Sequence, residues 1–252
     1  MKWTAIICGL ILIMTAILAH NRIRVGIQYI QSRITGQKTI SDRIGEYGPA
    51  VTDRLSPRFC KAGIDYPPKA VTLLAIKSEK RLELYANCAD GSPIKVCSYP
   101  ILAASGQLGP KLREGDRQVP EGIYEVELLN PNSLYHLSIR LNYPNKFDRL
   151  MAMADNRTKL GGDIMIHGSN MSIGCLAMGD EAAEDLFVLT ELVGLSNVRV
   201  IITPVDMRHE EMPKPDPESP KWLPELYDQI KESMKDLQPN KAVKVQNPAA
   251  GF

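Results

Sequence analysis

Residues 164–179 read IMIHGSNMSIGCLAMG, and the reading of the fold starts from them. Ile164, Met165 and Ile166 make a short apolar run that reads as a strand closing on His167. Gly168, Ser169, Asn170, Met171, Ser172, Ile173 and Gly174 then form a loop of mostly small residues that delivers Cys175 just ahead of a helical pattern. The thiolate is the reactive form of cysteine, so a nucleophilic cysteine needs a base or a positive local field. His167 can supply the base across such a loop, and Gly174 leaves backbone amides to point at one spot, as an oxyanion hole for acyl transfer requires. Taken singly, a cysteine near a helix start is usually a small buried hydrophobe, and a histidine at a strand end a structural residue. The pair carries the argument. A structural zinc site would need four ligands, and no CxxC or HxxxH pair lies nearby. A phosphatase loop would place Arg six residues after the cysteine, where this chain has Glu181, and the caspase and papain signatures are absent.

Working outward, residues 181–193 form a helix capped by Asp180 and stopped by Gly194, with Ala182, Leu186, Leu189 and Val193 as the stripe that packs on a sheet. Strand patterns occur at 71–77, 81–86, 94–99, 123–129, 134–141, 163–167 and 198–203, and Asp90-Gly91 marks a hairpin turn between the second and third. The expected domain, residues 69–206, is mainly β with one or two packed helices.

Residues 23–68 show apolar positions at spacings of three and four, among them Ile27, Ile30, Ile34, Ile40, Ile44, Tyr47, Val51 and Leu55. They read as a helical stalk broken at Gly36 and at Gly48-Pro49 and ended by Tyr66-Pro67-Pro68. Before it, residues 1–22 hold an uncharged run at 3–19 behind Lys2, about 26 Å long as a helix, slightly short of a typical ~30 Å hydrocarbon core. This segment reads as a membrane anchor, with a cleaved signal as the alternative, since Ile17 makes a poor small-residue cleavage site before His20. Residues 207–252 read as a proline-rich linker, a short exposed helix at 222–237 and a disordered tail. The chain has 252 residues, 30 Lys plus Arg against 29 Asp plus Glu, and 6% aromatic residues, so neither charge nor stacking surface favours nucleic acid as a partner.

His167-Gly168 followed by Ser172-Ile173-Gly174-Cys175 resembles the HG and S-x-G-C motif of the L,D-transpeptidase catalytic domain, the cysteine enzymes of bacterial peptidoglycan. Ala104-Ser105-Gly106, Gly109-Pro110-Lys111, Gly115-Asp116 and the run from Val119-Pro120 to Tyr124 resemble the same family's glycine-rich loop and T-P-x-G-x-Y segment. The resemblance spans residues 71–204 and implies an L,D-transpeptidase-like β-sandwich with the cysteine in a cleft. It implies Cys175 as nucleophile, His167 as base, the amides of Ile173, Gly174 and Cys175 as oxyanion donors, and peptide stems of peptidoglycan as substrate. No metal or organic cofactor is called for. Two positions depart from the pattern: Ile173 stands where many members have His, and Ala177 where many have Arg or Asn. With the short step from His167 to Cys175, these departures resemble the branch that includes murein L,D-transpeptidase-like amide hydrolases releasing a peptidoglycan-linked protein.

Weaker candidates for substrate binding are Ser172, Gly168, Lys111, Arg140 and His136. Ser172 can orient the loop, His136 lies on a strand where it can face the cleft, and Lys111, Arg113, Arg117 and Arg140 can meet a carboxylate, although Glu114 and Asp116 make a solvated charge pattern the plainer reading. Cys60, Cys88 and Cys97 leave one disulfide open. The expected function is an envelope enzyme of the periplasm, anchored or secreted, that forms an acyl-enzyme and passes it to an amine or to water. The alternative is a noncatalytic peptidoglycan-binding module with the same fold.

Overall fold

The computed structural model describes residues 36–88, 90–212, 214 and 216–237. The hydrophobic run at 3–19, residues 23–35 of the expected stalk and the tail after 237 lie outside the described residues.

All seven expected strands form: β1 (Val71–Ile76), β2 (Arg81–Asn87), β3 (Pro93–Pro100), β5 (Gly122–Ser133), β6 (His136–Leu141), β7 (Met165–His167) and β9 (Val198–Thr203). Two further strands have two residues each, β4 (Ala103–Ala104) and β8 (Leu176–Ala177). Such pairs are too short for any hydrophobic period to announce them. The strand order is β3-β2-β1-β9-β5-β6-β7-β8-β4. The long β5 joins the two halves: residues 122–125 pair with β9, and residues 126–133 pair with β6 across register shifts.

Central β1 shows why one face of the sheet does not suffice. Its run VTLLAI is almost continuously apolar, the signature of a strand covered on both sides. Val71, Leu73 and Ala75 enter one core with residues of β2, β6, β7 and two helices, α1 (Ile40–Lys61) and α3 (Asp180–Val193). Leu74 and Ile76 point the other way into a second core beneath α4 (Leu223–Met234).

The helices hold the corrections. The stretch expected as a stalk broken at Gly48-Pro49 is the single helix α1, with Thr39 and Asp42 in a reciprocal capping box and both Pro49 and Pro57 inside it. An interior proline costs about 3 kcal/mol. Val51, Leu55 and Phe59 are each 0% exposed, and burial of three such side chains at roughly 1.5–3 kcal/mol apiece is of the size needed to offset the two prolines. Arg54 of α1 also binds Asp185 at 2.7 Å and Glu184 at 3.2 Å on α3, so the helix is fastened to the domain. At the other end, α4 is not an exposed helix. Leu223, Leu226, Tyr227, Ile230 and Met234 are buried on the second core. A fourth helix, α2 (Lys146–Ala154), starts at a capping box of Asn145 and Asp148.

Candidate active site

The parallel pairing of β7 with β8 builds the site. Ile166 is opposite Leu176 and His167 opposite Ala177, so Cys175, the residue just before β8, is brought alongside β7, the strand that ends in His167. The chain reaches Cys175 through Gly174, whose φ of 103° is a left-handed value that favours glycine. Asp180 does not cap α3 as expected; Gly179 is the N-cap residue and offers no side chain. The Asp180 carboxylate instead accepts a 2.8 Å hydrogen bond from the Ser169 amide, holding the loop after His167.

His167 is 2% exposed, and its Nδ1 lies 2.6 Å from the Gly168 carbonyl. A carbonyl only accepts, so Nδ1 carries the proton and the lone pair of the neutral ring is on Nε2. Burial holds the imidazole below the ordinary 6.5, against the opposing pull of the Gly168 carbonyl. The Tyr135 ring packs on the imidazole with centroids 4.8 Å apart and planes inclined at 31°. Gly168 has no room for a side chain, since a Cβ there would stand 2.7 Å from the Tyr135 carbonyl. Its role is to hold the histidine.

Cys175 is partly buried, and its sulfur donates to the Asp163 carbonyl at 3.5 Å rather than to the imidazole. Burial raises the thiol above its usual 9, and the Asp163 charge adds to this; the Met165 amide and the Lys111 ammonium pull it down. Both partners therefore rest uncharged at neutral pH. The amides expected as free oxyanion donors are engaged: Gly174 N–H donates to Ser105 Oγ at 2.6 Å, and Cys175 N–H to Ser172 Oγ at 3.1 Å. Ser172 Oγ in turn donates to the Cys175 carbonyl at 2.6 Å. Ile173 is 71% exposed beside them.

Other candidates move. His136 does not face the cleft; its Nε2 binds Glu184 at 3.0 Å and its ring meets Tyr47 edge-on at 5.2 Å. Lys111 is no solvated charge. It is 8% exposed and spends its ammonium on Asp116 and the Arg113 carbonyl, while its field still reaches Cys175. Arg140 stands at the rim between Glu127 and Asp163. Ala177 is 0% exposed within β8. Cys60, Cys88, Cys97 and Cys175 are all free thiols. Tyr135, Ser105 and Asp163 are the residues that sequence reasoning missed. Ser105 lay inside a quoted motif, but its hydroxyl's partner is 69 residues away.

The sequence profile of the YkuD family, the L,D-transpeptidase catalytic domain, matches residues 71–206. The chain belongs to the L,D-transpeptidase catalytic-domain family. That family acts on peptidoglycan stem peptides. Among curated proteins, "Putative L,D-transpeptidase YafK" of Escherichia coli K12 is 37% identical over 147 residues, covering 56% of this chain and 57% of the relative, and its counterpart in strain O157:H7 matches equally. The chain thus spans little more than half the length of the curated relatives it matches. Among solved structures, the helical cell shape determining protein Pgp2 of Campylobacter jejuni is 27% identical with a TM-score of 0.44, over 54% of this chain and 48% of that one. Its K307A mutant gives 24% and 0.45 over 74% of this chain and 60% of that one.

Proposed function

We propose that this L,D-transpeptidase-family chain is an envelope cysteine enzyme that forms an acyl-enzyme with a peptidoglycan stem peptide, Cys175 being the nucleophile and His167 the general base. The observation that carries the reading is the tautomer of His167: its Nδ1 proton is spent on Gly168, leaving Nε2 as a neutral base at the end of the strand that β8, directly after Cys175, pairs with. In the reaction, the thiol leaves the Asp163 carbonyl and gives its proton to Nε2 as sulfur attacks the stem carbonyl. Catalytic hydrogen bonds often tighten only when substrate arrives. The Gly174 and Cys175 amides then exchange weakly charged serine oxygens for the developing oxyanion, a stronger acceptor. Protonated His167 returns its proton to the departing amine.

The acyl group passes to an amine or to water. Ala177 offers no charge to hold a carboxylate-bearing acceptor, and Lys111 is committed to Asp116, which favours hydrolysis of a peptidoglycan-linked amide over transpeptidation. The substrate puts the domain on the outer side of a cytoplasmic membrane, with residues 3–19 as anchor. The second reading, a noncatalytic wall-binding module, draws on the raised thiol and its bond to Asp163. Purified chain incubated with cross-linked and protein-linked peptidoglycan fragments, with and without excess amine acceptor, separates these. Mass spectrometry should find a thioester on Cys175 and free stem peptide. Rapid formation of new cross-links with little free stem would replace hydrolysis by transpeptidation, and unmodified Cys175 with unaltered fragments would leave the binding module.

A further inference from the structure

Helix α4 lies beyond the family match, yet one of its side chains reaches the carboxylate that ties down the loop bordering Cys175. Tyr227 is 3% exposed, and its hydroxyl donates to Glu121 Oε2 at 2.9 Å. Glu121 is 1% exposed; its other oxygen accepts from the Gly109 amide at 2.7 Å and from Lys77 Nζ at 2.9 Å. Lys77 spends its remaining two protons on the Gly109 and Val119 carbonyls, each at 3.1 Å. One buried carboxylate therefore gathers both ends of the loop 109–119.

The same loop touches the cysteine turn. Val119 donates to the Ser105 carbonyl at 3.2 Å, and the Ser105 hydroxyl holds the Gly174 amide. The Gln118 carbonyl stands 3.5 Å from where a Cβ on Gly174 would begin. Lys111, whose charge acts on the Cys175 sulfur, is carried by the loop itself.

Tyr227 is the donor that Glu121 Oε2 receives from α4. A buried carboxylate oxygen that loses its donor is costly to leave unsatisfied, so the group must turn towards Lys77 or the Gly109 amide and disturb the ties on its other oxygen. We infer that Tyr227 is a positioning residue, its hydroxyl acting through Glu121 to hold the loop 109–119 against the Cys175 turn. The inference rests on the reading of Cys175 as the reacting thiol.

The test is Tyr227→Phe in the full-length chain, which removes one oxygen and keeps the packed ring. Circular dichroism and Tm establish that the variant is folded. Turnover of a peptidoglycan fragment and the pH midpoint for alkylation of Cys175, read by mass spectrometry of its peptide, then report on the site. The expected result at 25 °C is a folded variant with kcat/KM lowered about tenfold, the order set by a hydrogen bond to a buried charge. The alkylation midpoint should move upwards as Lys111 loses its place. A lower Tm with kcat/KM and alkylation midpoint both unchanged would reduce Tyr227 to packing and overturn the inference. Should the wild-type chain itself turn nothing over, the proposed reaction falls, and the alkylation midpoint alone decides whether α4 governs the loop.

Discussion

His167 and Cys175 are both held uncharged by burial, and that is the feature from which activity should be predicted. In the proposed acylation a proton moves from thiol to imidazole within the complex, so that step needs His167 neutral. Because burial sets His167 below 6.5, kcat/KM should rise with pH along a limb below 6.5 and be level at neutral pH. Tyr135→Leu opens the packed face of the ring to water and should move that limb up towards 6.5, whereas Tyr135→Phe keeps the stack and the limb; a pH profile of each variant checks this. His167→Ala should lower acylation by about 10²-fold or more, with the loss shrinking at high pH where hydroxide ionises the thiol. Cys175→Ala should abolish turnover with an unchanged Tm, and Cys175→Ser should be nearly as inactive because a hydroxyl is far harder to deprotonate than a thiol. Single-turnover assays with either cysteine variant retaining most of the wild-type rate would exclude the thiol mechanism.

At the level of elements, the helix α1 decides how much of the chain is the domain. A stalk would expose one face and tolerate truncation of its apolar residues. Leu55 is instead fully buried in the core that α1 shares with α3 and the sheet, so Leu55→Ala should destabilise the protein by about 2–5 kcal/mol in urea unfolding, through lost transfer energy and a residual cavity. A change under about 0.5 kcal/mol, ordinary for a surface substitution, would return α1 to the role of a stalk. The periodicity of 40–55 was legible in the sequence, but as a helix broken at Gly48-Pro49 rather than one running through it. What could not be read was its partner, since Gly48-Pro49 is a local breaking signal and the compensating contacts come from α3, more than a hundred residues later. The same holds for α4, where 222–237 read as a short exposed helix and nothing local pointed to the face of β1 and β9 that receives it.

For the whole molecule, the described core begins at α1 and closes with α4. Deleting residues 1–21 should therefore leave a folded protein with kcat/KM within about twofold of the full chain, while removing it from the membrane fraction of cells; loss of folding on deletion would assign those residues a structural part. Sequence alone determined the seven longer strands, because alternation and β-branched runs encode burial locally, and it singled out His167 and Cys175 as the candidate pair, because motif spacing survives without coordinates. It also carried the glycine that the Cys175 turn requires, since only that residue enters φ of 103° without strain. The tertiary structure alone decided where the hydroxyls of Ser105 and Tyr227 go, that Lys111 is buried, that His136 faces Glu184 and that the Gly174 and Cys175 amides rest on serines. Each of these depends on a partner distant in sequence or on the direction of a single bond. Local propensity constrains neither, and both are settled only when the two halves of the sheet and the helices on either face close around one another.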